Sequence, residues 1–106
     1  MTREIDLDTF AGSWAEGGFV LLDVHEPDEY RAGHVPGALL VPLAKLPAWG
    51  DAPTDRPAYA ICASGIPSLG AADWMCARGI DERSVNGGAR GWAQAGHPLA
   101  TVPHPR

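Results

Sequence analysis

Three short, unbroken apolar runs dominate the hydropathy pattern: Phe19-Val20-Leu21-Leu22, Ala38-Leu39-Leu40-Val41 and Ala58-Tyr59-Ala60-Ile61. Runs of four without polar alternation predict strands buried on both faces, as in a parallel sheet covered by helices. Helix-like segments separate them. Asp6 or Asp8 can cap a first helix that presents Phe10, Ala11 and Trp14, with Gly17-Gly18 as its stop. Glu26-Pro27-Asp28-Glu29-Tyr30 reads as a helix start, with proline in the first position, acids in the first turn and Gly33 as terminator. His34-Val35-Pro36-Gly37 is a turn that His34 staples. Pro67 or Ser68 opens a helix through Leu69, Ala71, Ala72, Met75 and Cys76, ending at Arg78-Gly79. Ile80 to Val85 is short and polar, which predicts an edge strand. Gly91 to Gln94 forms one further helical turn after Asn86-Gly87-Gly88, and the chain from His97 onward is a tail. Pro42, Pro47, Pro53 and Pro57 break the stretch between the second and third strands, leaving at most a short helix near Lys45 to Trp49. Strands alternating with helices give an α/β architecture, and 106 residues suit one domain with one core.

Charge and composition narrow the function. A formal net charge of −5, with eight Lys and Arg scattered along the chain, excludes a nucleic-acid surface, which needs clustered cations. No stretch reaches the roughly 18 apolar residues of a membrane span, and the polar, acidic start does not read as a signal peptide. The expectation is a soluble cytoplasmic protein. Cys62 and Cys76, if separated by a helix, stand too far apart for a disulfide: ten helical residues span about 15 Å, and the bond needs Cα atoms within about 7 Å. Both are read as free thiols. The histidines and cysteines lack metal-ligand spacing, so no metal or other cofactor is expected. The sequence carries no signal of oligomeric state.

The chemistry gathers at Cys62. It follows the third strand directly and opens the run Cys62-Ala63-Ser64-Gly65-Ile66-Pro67-Ser68 before a helix. The carboxyl ends of parallel strands are where such folds bind ligands. The unpaired N–H groups of a helix start favour an anion there, and a thiolate is the reactive form of cysteine. Small residues let the loop curl into a nest for negative charge. The alternative is a buried structural cysteine, which is the reading given to Cys76. Asp23 ends another strand and points to the same edge, either as a backbone-binding carboxylate or as part of the site. His25 could donate a proton near neutral pH, though a surface or hydrogen-bonded histidine is the plainer reading. Trp74 and Trp92 are core candidates, and Glu26, Asp28 and Glu29 a solvated helix start.

In this order the motifs resemble the single-domain rhodanese-like sulfurtransferases. The resemblance rests on Leu22-Asp23-Val24 with Glu26-Pro27 and Glu29-Tyr30, and on Gly33-His34-Val35-Pro36-Gly37-Ala38. It continues through Cys62 with Ser64-Gly65 and Ser68, and Gly87-Gly88 with Trp92 and Gly96-His97-Pro98-Leu99. It implies a five-stranded, mostly parallel sheet flanked by helices on both faces. It also implies that Cys62 takes a sulfane sulfur from a donor, thiosulfate or a persulfide. The sulfur then passes to cyanide, a thiol or a protein acceptor, with the N–H groups of Ala63, Ser64, Gly65, Ile66 and Ser68 stabilising the anionic sulfur. Members of the family often carry arginine where Ala63, Pro67 and His25 stand here. Each lost charged hydrogen bond is worth roughly 1.5–3 kcal/mol, about 10- to 150-fold in affinity. Weak use of thiosulfate, or a binding module that no longer turns over, follows as the competing expectation. Arg90 and Arg56 are the cations that neighbouring loops could offer. A cysteine phosphatase or arsenate reductase, whose longer loop ends in arginine, fits poorly.

Overall fold

The computed structural model describes residues 4–42, 58–63, 66–77 and 82–101, without the side chain of Ile66. Within them the elements are β1 (Glu4–Ile5), α1 (Leu7–Glu16), β2 (Val20–Asp23), α2 (Pro27–Ala32), β3 (Leu39–Leu40), β4 (Ala58–Ile61), α3 (Ile66–Cys76), β5 (Glu82–Val85) and α4 (Gly88–Gln94). The expected helix near Lys45, Arg56, the Arg78-Gly79 stop, and Ser64 and Gly65 lie outside the described residues.

The strands form one sheet in the order β1-β5-β4-β2-β3, every neighbouring pair parallel. In such a sheet all carboxyl ends share one edge. Register places Asp23 beside both Ile61 and Leu40. The ladder runs one step further, with Val24 N–H donating to the Ile61 carbonyl at 3.0 Å and Val41 N–H to that of Asp23 at 2.9 Å. Alternate residues then feed two cores. Leu21, Tyr59, Ile61 and Val85 meet Phe10 of α1 and Trp92 of α4 on one face. Leu22, Ala60 and Cys62 meet Ala71 and Met75 of α3 on the other. The helices therefore cover both faces.

Local sequence explains the elements that position the site. Asp6 caps α1, accepting from the Thr9 N–H at 3.0 Å. The i, i+3, i+7 spacing of Leu7, Phe10 and Trp14 turns one stripe to the core. Phe10 meets Tyr59 and Trp92 edge-on at 5.2 and 5.5 Å, and Trp14 meets Trp92 at 5.2 Å. Pro27 starts α2 as expected, and Glu26 and Glu29 close a capping box. Among the described residues, no helix is long and apolar enough to cross a membrane.

Five expectations are corrected. Ile80–Val85 does not give an edge strand: β5 is interior, because the two-residue β1, too short to show a pattern, adds outside it. The second apolar run is instead the edge; β3 keeps only Leu39–Leu40, and Leu39 is 54% exposed. Helix α4 begins three residues before Gly91. His97 to Ala100 is no loose tail. His97 stacks on Trp92 at 4.3 Å, the Trp92 indole donates to the Pro98 carbonyl at 2.6 Å, and Ala100 pairs antiparallel with His34. His34 itself stacks on Tyr30 and lies 2.8 Å from the Tyr30 carbonyl through Nδ1, which ties its side chain to the end of α2 rather than to the turn it opens.

Glu82 is a buried acid on β5 whose two carboxyl oxygens meet no hydrogen-bond donor among the described residues. Desolvation pushes its pKa up from 4.5 to about 7. The folded state therefore holds a proton that the unfolded chain releases, so stability falls as pH rises from about 4.5 through 7. The span corresponds to about 3 kcal/mol. Urea denaturation of wild type and Glu82→Gln should give unfolding free energies whose difference shifts by about 3 kcal/mol in favour of the variant between pH 4 and pH 8. A difference independent of pH would show that Glu82 has another environment.

Candidate active site

Cys62 follows the last residue of β4 and is 2% exposed. Its place on the α3 face of the sheet brings Sγ to the first turn of that helix. The Ser68 N–H, in the first turn of α3, donates to Sγ at 3.4 Å. The Ser68 hydroxyl also lies 3.4 Å from Sγ and 2.6 Å from the hydroxyl of Ser84 on β5. The pair of hydroxyls can reverse. With a thiol, S–H donates to Ser68; with an anionic sulfur, Ser68 donates to it and Ser84 donates to Ser68. Such a chain can serve both charge states of the sulfur. Ser84 was invisible to motif reasoning, since a serine in a polar strand signals nothing until the sheet order is known.

The loop is held from the other side by α4. Ala89 N–H donates to the Cys62 carbonyl at 2.7 Å and Arg90 N–H to the Ala63 carbonyl at 3.1 Å. Gly88 allows this approach: its φ is +61°, and an added Cβ would stand 2.3 Å from the Cys62 carbonyl oxygen and 2.7 Å from Ala63. The Gly87-Gly88 turn seen in the sequence is thus the place where helix and loop backbones touch.

Val24, His25, Glu26, Glu29, Cys62, Ala63, Pro67 and Arg90 line a cavity of about 390 Å³ over the thiol. The structure therefore brings together Cys62, Ala63, Pro67, His25 and Arg90. Ser68 lies beneath the sulfur. Asp23 is fully buried and contacts His25: it accepts the His25 backbone N–H at 2.9 Å, and its Oδ1 lies 2.7 Å from the ring Nδ1. His25 is buried rather than on the surface. Contact with Asp23 raises its pKa above 6.5, helped by Glu29 and opposed by burial and Arg90. Its contribution to stability is therefore present below pH 6.5 and is lost as pH rises through the higher folded-state value. Nδ1 faces Asp23, which leaves Nε2 as the ring nitrogen for the cavity. Chemically, the arrangement offers a sulfur nucleophile with hydrogen bonds for negative charge, with the guanidinium of Arg90 and the imidazole of His25 on the cavity wall. Glu29, read in sequence as merely solvated, also lines the cavity. Cys76 lies apart, half-buried, its Sγ 3.4 Å from the Glu82 carbonyl. Among the described residues, no three His, Cys, Asp or Glu side chains converge to hold a metal ion.

Gly88→Ala should destabilise the protein by roughly 2–4 kcal/mol in urea denaturation, because the strained φ and the backbone clash add. A loss below about 0.5 kcal/mol would mean that α4 and the loop are not packed as described.

Comparison with known proteins places this geometry. The family model for the rhodanese-like domain matches residues 7–95. Thiosulfate sulfurtransferase GlpE of Shewanella oneidensis is 32% identical over 77 residues, covering 71% of this chain and 76% of the relative. A rhodanese-related protein from Thermoplasma volcanium superposes with a TM-score of 0.86 at 26% identity, covering 94% of this chain and 99% of its own. A rhodanese-like domain protein from Staphylococcus aureus gives 0.83, also at 26% identity, covering 94% and 98%. The chain belongs to the rhodanese-like domain family.

Proposed function

We propose that the protein is a sulfurtransferase that carries sulfur as a persulfide on Cys62. The observation that supports this most is Cys62 Sγ at the end of β4, in hydrogen-bond contact with Ser68 and bordering a cavity that also holds His25 and Arg90. In the first half-reaction the Cys62 thiolate attacks the outer sulfur of the donor. With thiosulfate, the new bond joins that sulfur to Cys62, and the old sulfur–sulfur bond leaves its electron pair on sulfite. In the second, cyanide or a thiolate attacks the outer sulfur, and the electron pair returns to Cys62. A protein thiol or persulfide is a further class of acceptor or donor.

The cations decide which donors suit the site. Ala63 and Pro67 supply none from the loop, so a doubly charged inorganic donor relies on His25 and Arg90, which reach the cavity from β2's end and from α4. This favours a donor of lower charge over thiosulfate. The same gap in the loop supports a second reading, a rhodanese-like binding or regulatory module without turnover. The two differ in their dependence on the thiol. The family match and the absence of a loop arginine both weigh against phosphatase chemistry.

Intact-mass measurement after incubation with thiosulfate, and separately with a low-molecular-weight persulfide, tests the proposal. One added sulfur (about 32 Da) is expected on wild type with either donor, faster with the persulfide. Cyanide should release it as thiocyanate, and Cys62→Ser should gain none. A folded wild-type protein that loads from neither donor would leave the binding module as the reading.

A further inference from the structure

Beneath the thiol, the line of buried polar side chains runs past Ser84 to Glu82. Parallel register sets Ala60 beside Ser84 and Ala58 beside Glu82. The α3 face of the sheet therefore carries Ala58, Ala60 and Cys62 in one row and Glu82 and Ser84 in the next. Two residues along a strand span about 6.6 Å. From Ser84 the two hydroxyls reach Cys62 Sγ in steps of 2.6 and 3.4 Å. Glu82 is fully buried, and neither carboxyl oxygen meets a donor among the described residues. A carboxyl in that position takes the place of an apolar side chain in the core and costs stability.

The other ionisable groups around the pair are set apart from it. On α3, which packs over β5, Asp73 is exposed and Cys76 places Sγ 3.4 Å from the Glu82 carbonyl. On β1, Glu4 stands beside Ser84 and is exposed. Arg83 and its β4 neighbour Tyr59 lie on the opposite face of the sheet. Cys62 meets His25, Glu26, Glu29 and Arg90 around its cavity. Asp23, the other fully buried carboxyl, engages His25. Glu82 approaches the sulfur from within the core, along the hydroxyls.

The direction of those hydroxyls links the two ends. With a thiol, S–H donates to Ser68 and Ser68 to Ser84, which leaves the Ser84 hydrogen for an acceptor. With an anionic sulfur, both hydroxyls turn toward it, and Ser84 presents lone pairs instead. The first arrangement favours a carboxylate at position 82, the second a protonated carboxyl. Burial pushes the Glu82 pKa up to about 7, so both forms are accessible near neutral pH.

We propose that Glu82 is a positioning residue for the Cys62 nucleophile, acting through Ser84 and Ser68. The buried chain holds one negative charge, on the carboxylate while Cys62 is a thiol and on the sulfur while Cys62 is an anion. The S–H bond of Cys62 is lost as the O–H bond of Glu82 forms, and no oxidant or reductant enters. The coupling acts through charge and hydroxyl dipoles, and needs no direct bond between Ser84 and the carboxyl. Ionised Glu82 thus holds back thiolate formation, and an anion on Cys62 keeps Glu82 protonated.

The test follows ultraviolet thiolate absorbance against pH in a Cys76→Ser background, where Cys62 is the sole thiol. The same protein with Cys62→Ser is the blank. At a separation on the order of 10 Å and an effective dielectric of about 20, removing the carboxylate should lower the midpoint by about one pH unit. Glu82→Gln and Glu82→Met should both show this, while Glu82→Asp, which keeps the charge, should restore most of the difference. A second arm leaves Glu82 in place and follows its carboxyl carbon resonance. That signal should titrate in two steps, the later one together with the thiolate, and in a single step once Cys62 is replaced by serine. A midpoint unmoved in folded Glu82→Gln and Glu82→Met, or a Glu82 resonance blind to the ionisation of Cys62, would overturn the coupling. Neither arm uses a sulfur donor, so failure of Cys62 to load sulfur would reject the sulfurtransferase reading alone.

Discussion

Two backbone hydrogen bonds, from Ala89 and Arg90 to the carbonyls of Cys62 and Ala63, join what would otherwise be separate parts of the molecule. They fix the start of the loop against the first turn of α4. Through α4 they set where Arg90 stands over the cavity. The contact is possible only because residue 88 lacks a side chain. Trp92, one turn further on, is sealed against Phe10, Trp14 and His97, so the helix that holds the loop is itself anchored in the larger core. Loop geometry is thereby inherited from aromatic packing on the opposite face of the sheet. A change in that packing would reach the thiol without touching it.

The second constraint is electrostatic. A buried sulfur that alternates between charge states needs partners that serve both, and neutral hydroxyls do this without the desolvation cost of a buried ion. Ser68 and Ser84 provide such a chain, 2.6 Å apart. Charge is kept at the cavity wall instead, where His25 is held by Asp23 and Arg90 is exposed. The division puts His25 and Arg90 near the arriving donor and leaves the sulfur itself among neutral groups. Glu82, two residues from Ser84 and on the same face of β5, is the exception: an acid whose burial costs stability once it ionises.

Much of this was legible in the sequence because the strongest signals are local. Apolar runs of four gave β2 and β4 almost to the residue, and Pro27, Gly33 and Gly17 marked helix ends through their own backbone chemistry. Cys62 could be placed at a strand end, and the ordered motifs carried the family. The remainder depends on contacts distant in sequence. β1 is two residues long and exists only as a partner to β5, which also converts a polar, edge-like strand into an interior one. Leu39, apolar yet exposed, misleads any reading based on hydropathy. Nothing near His97 to Ala100 announces its pairing with His34. Ser84 and Gly88 became parts of the site only when the fold brought β5 and α4 to the thiol.

The claim on which the rest stands is that the buried hydroxyl of Ser68 serves the sulfur of Cys62 directly. The rate of sulfur uptake by Ser68→Ala, followed by intact mass under single-turnover conditions, addresses it without reliance on the acceptor. The backbone N–H of residue 68 survives the substitution, and circular dichroism can establish that the fold does. Loss of one hydrogen bond to an anionic sulfur should slow uptake by at least about tenfold relative to wild type. Uptake at the wild-type rate in a folded variant would contradict the account.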